Sequence, residues 1–233
     1  MTSPRPSLIE IDPDTRRPVS LPNHIYATLK QRILTCQLKP GERLIEKDLC
    51  DELEVSRTPL REALNRLGNE DLVVFQPNCG YTVTPITLES FKKLHEVRRI
   101  IEPQIAAIAA TKANPEEIRQ LRSFATSAEY VPGDESSYIR YCRSNSQFHL
   151  SLVRCTKNHI LENMAMSALD RDQQPTYLGI GRQLDAANPS AEHHAIVDAL
   201  QERDALKAQS IMYNHIYTGE KRIIDALVKA GYT

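Results

Sequence analysis

The strongest constraint on the fold lies between residues 23 and 85, where three short helical patterns are followed by a β-prone segment. Apolar residues recur at helical spacing in each pattern, and the last apolar positions are Ile33, Leu53 and Leu67. Pro40-Gly41 breaks the chain after the first pattern. Two short helices separated by a tight turn are typical of a helix-turn-helix, so the spacing predicts a small helical head of this type.

Helix caps and a turn complete this prediction. Asn23 is expected to cap the first helix and Ser56 the third, since both residue types accept hydrogen bonds from free backbone amides. Two β-prone runs, 72–75 and 81–83, flank the turn-forming segment 77–80. We therefore expect a β-hairpin, or wing, and assign residues 23–85 to a winged helix-turn-helix.

The remainder of the chain, residues 86–233, carries no further strand signal and about six helical patterns. Their expected starts are Thr87, Asn114, Asp134, Asn158, Ser190 and Asp204. Helices of this number and length, joined by short loops, favour an antiparallel bundle. Residues 1–22, rich in proline, are expected to form a flexible arm. The predicted fold is mainly α, with a winged head followed by a helical bundle.

Composition narrows the functional classes. The formal net charge of -1 argues against a chain that coats nucleic acid, so any DNA contact needs a local basic cluster. The five cysteines are scattered without a CxxC pair, which favours neither a disulfide framework nor a thiolate metal site. No apolar run approaches the roughly 20 residues that a membrane span requires, and the first residues lack a signal-peptide pattern. We expect a cytoplasmic protein with no membrane partner.

The third predicted helix carries a polar face opposite its leucines. This face holds Arg57, Thr58, Arg61 and Asn65, with the two arginines one turn apart. The planar fork of arginine suits guanine edges and phosphates alike. The second helix of a helix-turn-helix usually supplies the base contacts, which favours DNA binding over the alternative of a merely solvated face.

Histidine placement indicates a second candidate site, in the bundle. Asn145 and His149 are four residues apart on one predicted helix and can approach the same point. His193 and His215 fall on apolar faces of later helices, whereas His194 points outward. Three imidazoles and a carboxamide oxygen suit a divalent metal, with zinc as first choice and nickel or manganese as alternatives. Core histidines that only satisfy hydrogen bonds remain the alternative.

The head resembles the DNA-binding domain of GntR-family regulators. The resemblance rests on residues 38–44, 55–64 and 77–83 and extends over most of the predicted head. It implies that Lys47, Arg57, Thr58, Arg61 and the wing glycine Gly80 approach DNA.

The bundle resembles the FCD effector domain of the FadR subgroup. The run 96–102, the segment NSQFH at 145–149, Glu192-His193 and His215 carry this resemblance. It implies a metal held by Asn145, His149, His193 and His215, and a carboxylate effector bound with the help of Arg98. Asn145 stands where the family often has aspartate, which should weaken metal binding or favour another metal. A bundle of about six helices, rather than seven, suits the VanR-like branch.

Three functions are compatible with these features. The first is a homodimeric repressor or activator that contacts operator half-sites about one DNA turn apart and responds to a small carboxylate. The second is a metal-dependent hydrolase or lyase that uses the three histidines, with Glu162 or Asp170 as a base. The third is a plain dimerisation bundle without a ligand. The sequence has no HExxH and no nucleophile motif, so we expect a regulator and not an enzyme.

Overall fold

The computed structural model describes residues 20–127, 134–183 and 189–233. The arm predicted for residues 1–22 therefore lies, up to residue 19, outside the described residues. The chain divides into two compact units, one that ends at Thr84 and one that begins at Pro85, with Leu34–Cys36 assigned to the second.

Within the described residues, the first unit contains three helices and three short strands. These are α1 (Leu21–Leu34), β1 (Arg43–Leu44), α2 (Glu46–Leu53), α3 (Arg57–Asn69), β2 (Val73–Gln76) and β3 (Gly80–Val83). The apolar residues of the predicted periods form its core, namely Ile25, Leu29, Ile33, Leu49, Leu60, Leu64 and Leu67. Burial of these side chains at helical spacing stabilises the helices against one another, as the patterning predicts.

The start of α1 differs from the prediction. The helix begins at Leu21, and the backbone N–H of His24 donates to the carbonyl of Ser20, so Asn23 lies inside the first turn. The Asn23 side-chain oxygen instead accepts a hydrogen bond from Arg66 Nη1 at 2.6 Å. The prediction that Asn23 caps this helix was wrong, because a tertiary partner takes the oxygen that capping would use.

The predicted hairpin is present and belongs to a slightly larger sheet. The strand order is β1-β3-β2, with both pairs antiparallel. The hairpin pairs Val73 with Val83 and Gln76 with Gly80, and Asn78 (φ 65°) and Gly80 (φ 84°) supply the left-handed residues of its turn. Strand β1 was not predicted, since two residues are too short for alternation to show.

The second unit contains six helices in the described residues, and the predicted fold class is confirmed. They are α4 (Leu88–Lys112), α5 (Pro115–Ser127), α6 (Glu135–Arg154), α7 (His159–Gln183), α8 (Pro189–Gln201) and α9 (Ala205–Lys229). Thr87 forms a capping box with Ser90 before α4, and the Asn114 side chain caps α5 by accepting from Glu117 N–H. Ser190, predicted to start a helix, is the second residue of α8.

Buried polar residues lie inside the apolar core of this bundle. Helices α4 and α9 pack extensively against each other, and α6, α7 and α8 all contact α9 or α4.

Within the described residues, no helix combines the length and apolar character that crossing a bilayer requires. None of the five cysteines, all of which are described, forms a disulfide.

Candidate DNA-binding head and metal centre

All of the residues predicted to approach DNA lie in the first unit, on α2, α3 and β3. Exposed side chains are those of Lys47, Arg57, Thr58, Arg61 and Asn65, whereas Gly80 is half-buried in the wing turn. The turn between α2 and α3 is tight because Glu54 adopts a left-handed conformation, φ 53°, and Val55 N–H donates to the Cys50 carbonyl. This turn presents the amino-terminal half of α3 to solvent.

Two residues of this face have partners within the head. Arg61 donates from Nε to Glu46 Oε2 at 2.8 Å, and this hydrogen bond raises the pKa of the arginine. The Tyr81 hydroxyl donates to Asn65 Oδ1 at 2.7 Å. Arg61 and Asn65 are therefore held by α2 and by β3, respectively. The sequence did not reveal either contact, since it does not show which strand or helix faces a given side chain.

The three predicted histidine ligands come together in the core of the second unit. His149 on α6, His193 on α8 and His215 on α9 are all buried, and their ligating nitrogens lie within 4.8 Å of one another. His215 Nε2 lies 3.3 Å from His149 Nε2 and 3.3 Å from His193 Nε2. The prediction that all three imidazoles point inward agrees with this arrangement.

Carboxylates fix the orientation of two of these rings. Glu102 Oε2 lies 2.5 Å from His149 Nδ1, and Glu192 Oε2 lies 2.6 Å from His215 Nδ1. An ionised carboxylate accepts hydrogen bonds only, so the contact of each ring with its carboxylate places a proton on Nδ1. His193 stacks on Phe148, with ring centroids 4.1 Å apart. Its Nδ1 is buried without a hydrogen-bond partner among the described residues.

Charge states at the centre suit a cation. Burial alone would raise the pKa values of Glu102 and Glu192, but Arg98 and His149 beside the first, and His215 and Arg222 beside the second, hold each at about 2. Burial lowers the pKa of both His193 and His215. The carboxylates are thus ionised and these two imidazoles neutral near pH 7, which is the ligand form of histidine.

The residues present fit a divalent metal. A tetrahedral metal held at about 2.0–2.1 Å by imidazole nitrogens separates those nitrogens by about 3.3–3.4 Å. This agrees with the 3.3 Å spacings of His215 Nε2 from its two neighbours. In the tautomers with the proton on Nδ1, His149 and His215 direct their Nε2 lone pairs at each other, and a cation between them removes this repulsion. Asn145, the predicted fourth ligand, is half-buried one helical turn before His149 on α6, and its role stays a prediction.

Arg98, the predicted effector ligand, is buried between two carboxylates. Its Nε donates to Glu102 Oε1 at 2.5 Å, and its Nη1 lies 2.5 Å from Asp172 Oδ2. Asp172 also contacts His95 Nε2 at 2.7 Å and accepts from Thr176 Oγ1 at 3.0 Å. A carboxylate that binds Arg98 would therefore meet a guanidinium that is already paired with Glu102 and Asp172.

Several residues of this network were not identified from the sequence. They are His95, Asp172, Thr176 and Arg222, and Glu102 and Glu192 were noted only within family motifs. The 3- and 4-residue spacing of His95, Arg98 and Glu102 places them on one face of α4, which is a signal that the sequence does carry. Arg222 contacts both oxygens of Glu192 at 3.0 and 3.1 Å. No local pattern predicts that contact.

The two candidate bases of the enzyme hypothesis have other partners. Glu162 accepts a hydrogen bond from Arg154 Nε at 2.9 Å, and Asp170 accepts one from Gln173 at 3.2 Å. The carboxylates that do contact the histidines, Glu102 and Glu192, bind the Nδ1 side of the rings, away from the point where the Nε2 atoms converge.

Comparisons with known proteins agree with this two-part organisation. Residues 21–83 match the family described as bacterial regulatory proteins, gntR family, and residues 93–218 match the FCD domain. The Nta operon transcriptional regulator of Aminobacter aminovorans is 34% identical over 133 residues, 57% of this chain and 62% of that protein. The chain thus spans about three fifths of the first relatives it matches.

Two further relatives extend over more of the chain. The Uxu operon transcriptional regulator of Escherichia coli is 26% identical over 226 residues, which cover 86% of each protein. The solved structure of E. coli McbR/YncC shares the fold, with a TM-score of 0.76 at 21% identity over 89% of this chain and 98% of that one. The chain belongs to the GntR family of bacterial regulatory proteins and carries an FCD domain.

Proposed function

We propose that this protein is a ligand-responsive transcription regulator that binds operator DNA as a homodimer. The observation that carries the proposal is the exposed polar face of α3 in a winged helix-turn-helix, with Arg57 and Arg61 one turn apart and open to solvent. The names of two relatives, regulators of the Nta and Uxu operons, support it. We assign DNA binding to residues 23–85 and effector binding with dimerisation to residues 86–233.

The DNA-contacting residues fall into two groups by chemistry. Arg57, Arg61 and Asn65 can hydrogen-bond to base edges in the major groove, where arginine prefers the O6 and N7 atoms of guanine. Lys47, Thr58 and the backbone near Gly80 suit phosphate contacts, which position the head without reading sequence. With a formal net charge of -1, the chain depends on this local cluster for DNA affinity.

The decisive experiment is selection of duplexes from a random pool by the purified protein, followed by binding measurements at moderate salt. We expect an enriched sequence with two half-sites about one helical turn apart, as a dimer requires. Arg57→Ala and Arg61→Ala should each weaken binding to it at least tenfold. Arg32→Ala, on α1 and paired with Glu52, is the matched control and should bind as wild type does. A pool without a preferred sequence would contradict the proposal.

In the bundle, we propose that Asn145, His149, His193 and His215 hold a divalent metal, zinc by preference, with nickel or manganese as alternatives. The metal would supply a Lewis acid that accepts an oxygen of a small carboxylate effector. Glu102 and Glu192 orient the rings of His149 and His215 for this role. Arg98 is a further proposed contact for the carboxylate of the effector. In this proposal the effector carboxylate takes the place of Asp172 or Glu102 beside the guanidinium.

We further propose that effector binding in the bundle changes the affinity of the head for its operator. By linkage, the operator must then change the affinity for the effector by the same factor. Metal content after purification without chelator, combined with DNA binding in the presence and absence of small carboxylates, tests this part. If neither metal nor small carboxylates change the affinity for the operator, this proposal is wrong. The bundle would then serve for dimerisation alone.

A further inference from the structure

The hydrogen bond between Arg61 and Glu46 is a contact in the head to which the family resemblance assigned no role. Glu46 is the first residue of α2, and Arg61 lies on the exposed face of α3. Resting on the proposed function, we infer that Glu46 is a positioning residue that fixes the guanidinium of Arg61 for reading DNA and thereby sets sequence preference.

The exposure of the two side chains supports a positioning role. The Arg61 side chain is 57% exposed, whereas that of Glu46 is only 19% exposed. The partly buried carboxylate on α2 therefore acts as the fixed member of the pair, and the arginine extends from it into solvent. Restricting an arginine before binding reduces the side-chain entropy that is lost when it contacts a base.

The atoms in contact determine which edge of the guanidinium remains available. Nε of Arg61 donates to Glu46 Oε2 at 2.8 Å. In the described part of the chain, this is the one hydrogen bond found for Arg61, so Nη1 and Nη2 are left for a partner. Two parallel donors at the end of the side chain match the O6 and N7 acceptors of guanine. The contact thus favours an end-on, bidentate approach of Arg61 to a base.

Charge makes this role testable, because electrostatics and positioning predict opposite effects. A carboxylate near a duplex repels phosphates, so removing it should strengthen binding to any DNA. If Glu46 positions Arg61, however, its removal should weaken binding to the preferred sequence alone. The ratio of specific to nonspecific affinity separates the two effects.

The experiment compares Glu46→Ala, Glu46→Gln and Asp48→Ala in the full-length protein. The DNA probes are a duplex selected from a random pool by the wild type and a scrambled duplex of the same composition. Asp48 is exposed in the same first turn of α2, so Asp48→Ala removes an equal charge and an equal helix-dipole contribution. Glutamine keeps an oxygen that can accept the Arg61 hydrogen bond.

We expect all three variants to bind the scrambled duplex at least as tightly as wild type. Glu46→Ala should lose about tenfold in specific-to-nonspecific ratio, Glu46→Gln should lose less, and Asp48→Ala should keep the wild-type ratio. In an Arg61→Ala background, Glu46→Ala should cause no further loss of that ratio, since its effect acts through the arginine.

An unchanged ratio in Glu46→Ala, or an equal loss in Asp48→Ala, overturns the inference while leaving the regulator intact. An additive loss in the double variant also overturns it. A random pool that yields no preferred sequence overturns the proposed function, and the positioning role with it. Thermal melting of each variant confirms that the head stays folded during the comparison.

Discussion

Arginine–glutamate pairs occur in both units of the protein, but their surroundings are opposite. In the head, the side chains of Arg61 and Glu46 are 57% and 19% exposed. In the bundle, those of Arg98 and Glu102 are 4% and 3% exposed. Water solvates the first pair and is excluded from the second.

This difference decides what each pair can do. An exposed ion pair contributes little to stability, because water screens it and the side chains lose freedom when they pair. Such a pair can leave the Nη1 and Nη2 atoms of its arginine exposed to solvent, where DNA can reach them. A buried pair cannot lose one member without leaving a charge uncompensated in the core. The bundle therefore uses its pair to fix His149 through Glu102, whereas the head keeps its arginine available.

The largest effect should follow removal of the buried arginine. Arg98→Ala leaves Glu102 and Asp172 buried without their shared guanidinium, so the free energy of unfolding should fall by about 3–5 kcal/mol. Urea denaturation measures this change. The matched control is Arg122→Ala, which removes an exposed pair with Asp198 and should cost less than about 1 kcal/mol. Equal losses of unfolding free energy in the two variants would contradict the distinction between buried and exposed ion pairs.

Metal binding should stabilise the bundle through the histidines. With zinc at about 100 times its Kd, the free energy of unfolding of the wild type should rise by about 2.7 kcal/mol. His215→Ala should abolish most of this gain. His194→Ala, a half-buried neighbour of the triad outside the converging set, should retain it. Thermal or chemical denaturation with and without zinc gives both values, and an intact gain in His215→Ala would rule out the proposed centre.

Asp172 should link stability to pH. Burial alone would raise its pKa, but Arg98 and His95 lower the pKa below the ordinary value. The stabilisation by Asp172 is therefore complete above its unfolded pKa of about 3.9 and disappears as the pH falls through the lower folded pKa. Among the described residues, Arg98 and His95 on α4 and Thr176 on α7 contact it, and Tyr141 on α6 interacts with it electrostatically.

Asp172→Asn tests this linkage directly. At pH 7 the variant should lose about 1–3 kcal/mol of unfolding free energy, since Arg98 keeps only Glu102 as a charged partner. The difference from wild type should shrink as the pH falls below about 4. Denaturation across this range measures it, with Asp198→Asn on the exposed face as control. A difference that does not vary with pH would show that packing, not charge, dominates at this position.

The smallest effect on stability should come from the exposed arginine. Arg61→Ala should leave the midpoint of thermal unfolding unchanged, because solvent already screens its contact with Glu46. Binding to a selected duplex should nevertheless fall about tenfold or more. A clear fall in the melting temperature would show that Arg61 stabilises the folded head, and would argue against its being available for DNA contact.

Local patterns in the sequence predicted much of this architecture. The helical spacing of leucine and isoleucine predicted the helices of both units, because a helix that buries one face needs apolar residues at that spacing. Thr87 and Asn114 marked helix starts through their own side-chain chemistry. Asn23 did not, since α1 begins two residues earlier and Arg66, 43 residues away, takes its side-chain oxygen. Ser56 precedes α3 as predicted, but its side chain makes no capping hydrogen bond.

The sequence by itself determined which face of each helix carries the histidines and the arginines, because that depends on spacing along one helix. The tertiary structure alone decided what lies opposite each face. Asp172 meets His95 across 77 residues, and Glu192 meets His215 across 23. Such pairings depend on how separate helices pack, and helical periodicity contains no information about the neighbouring helix.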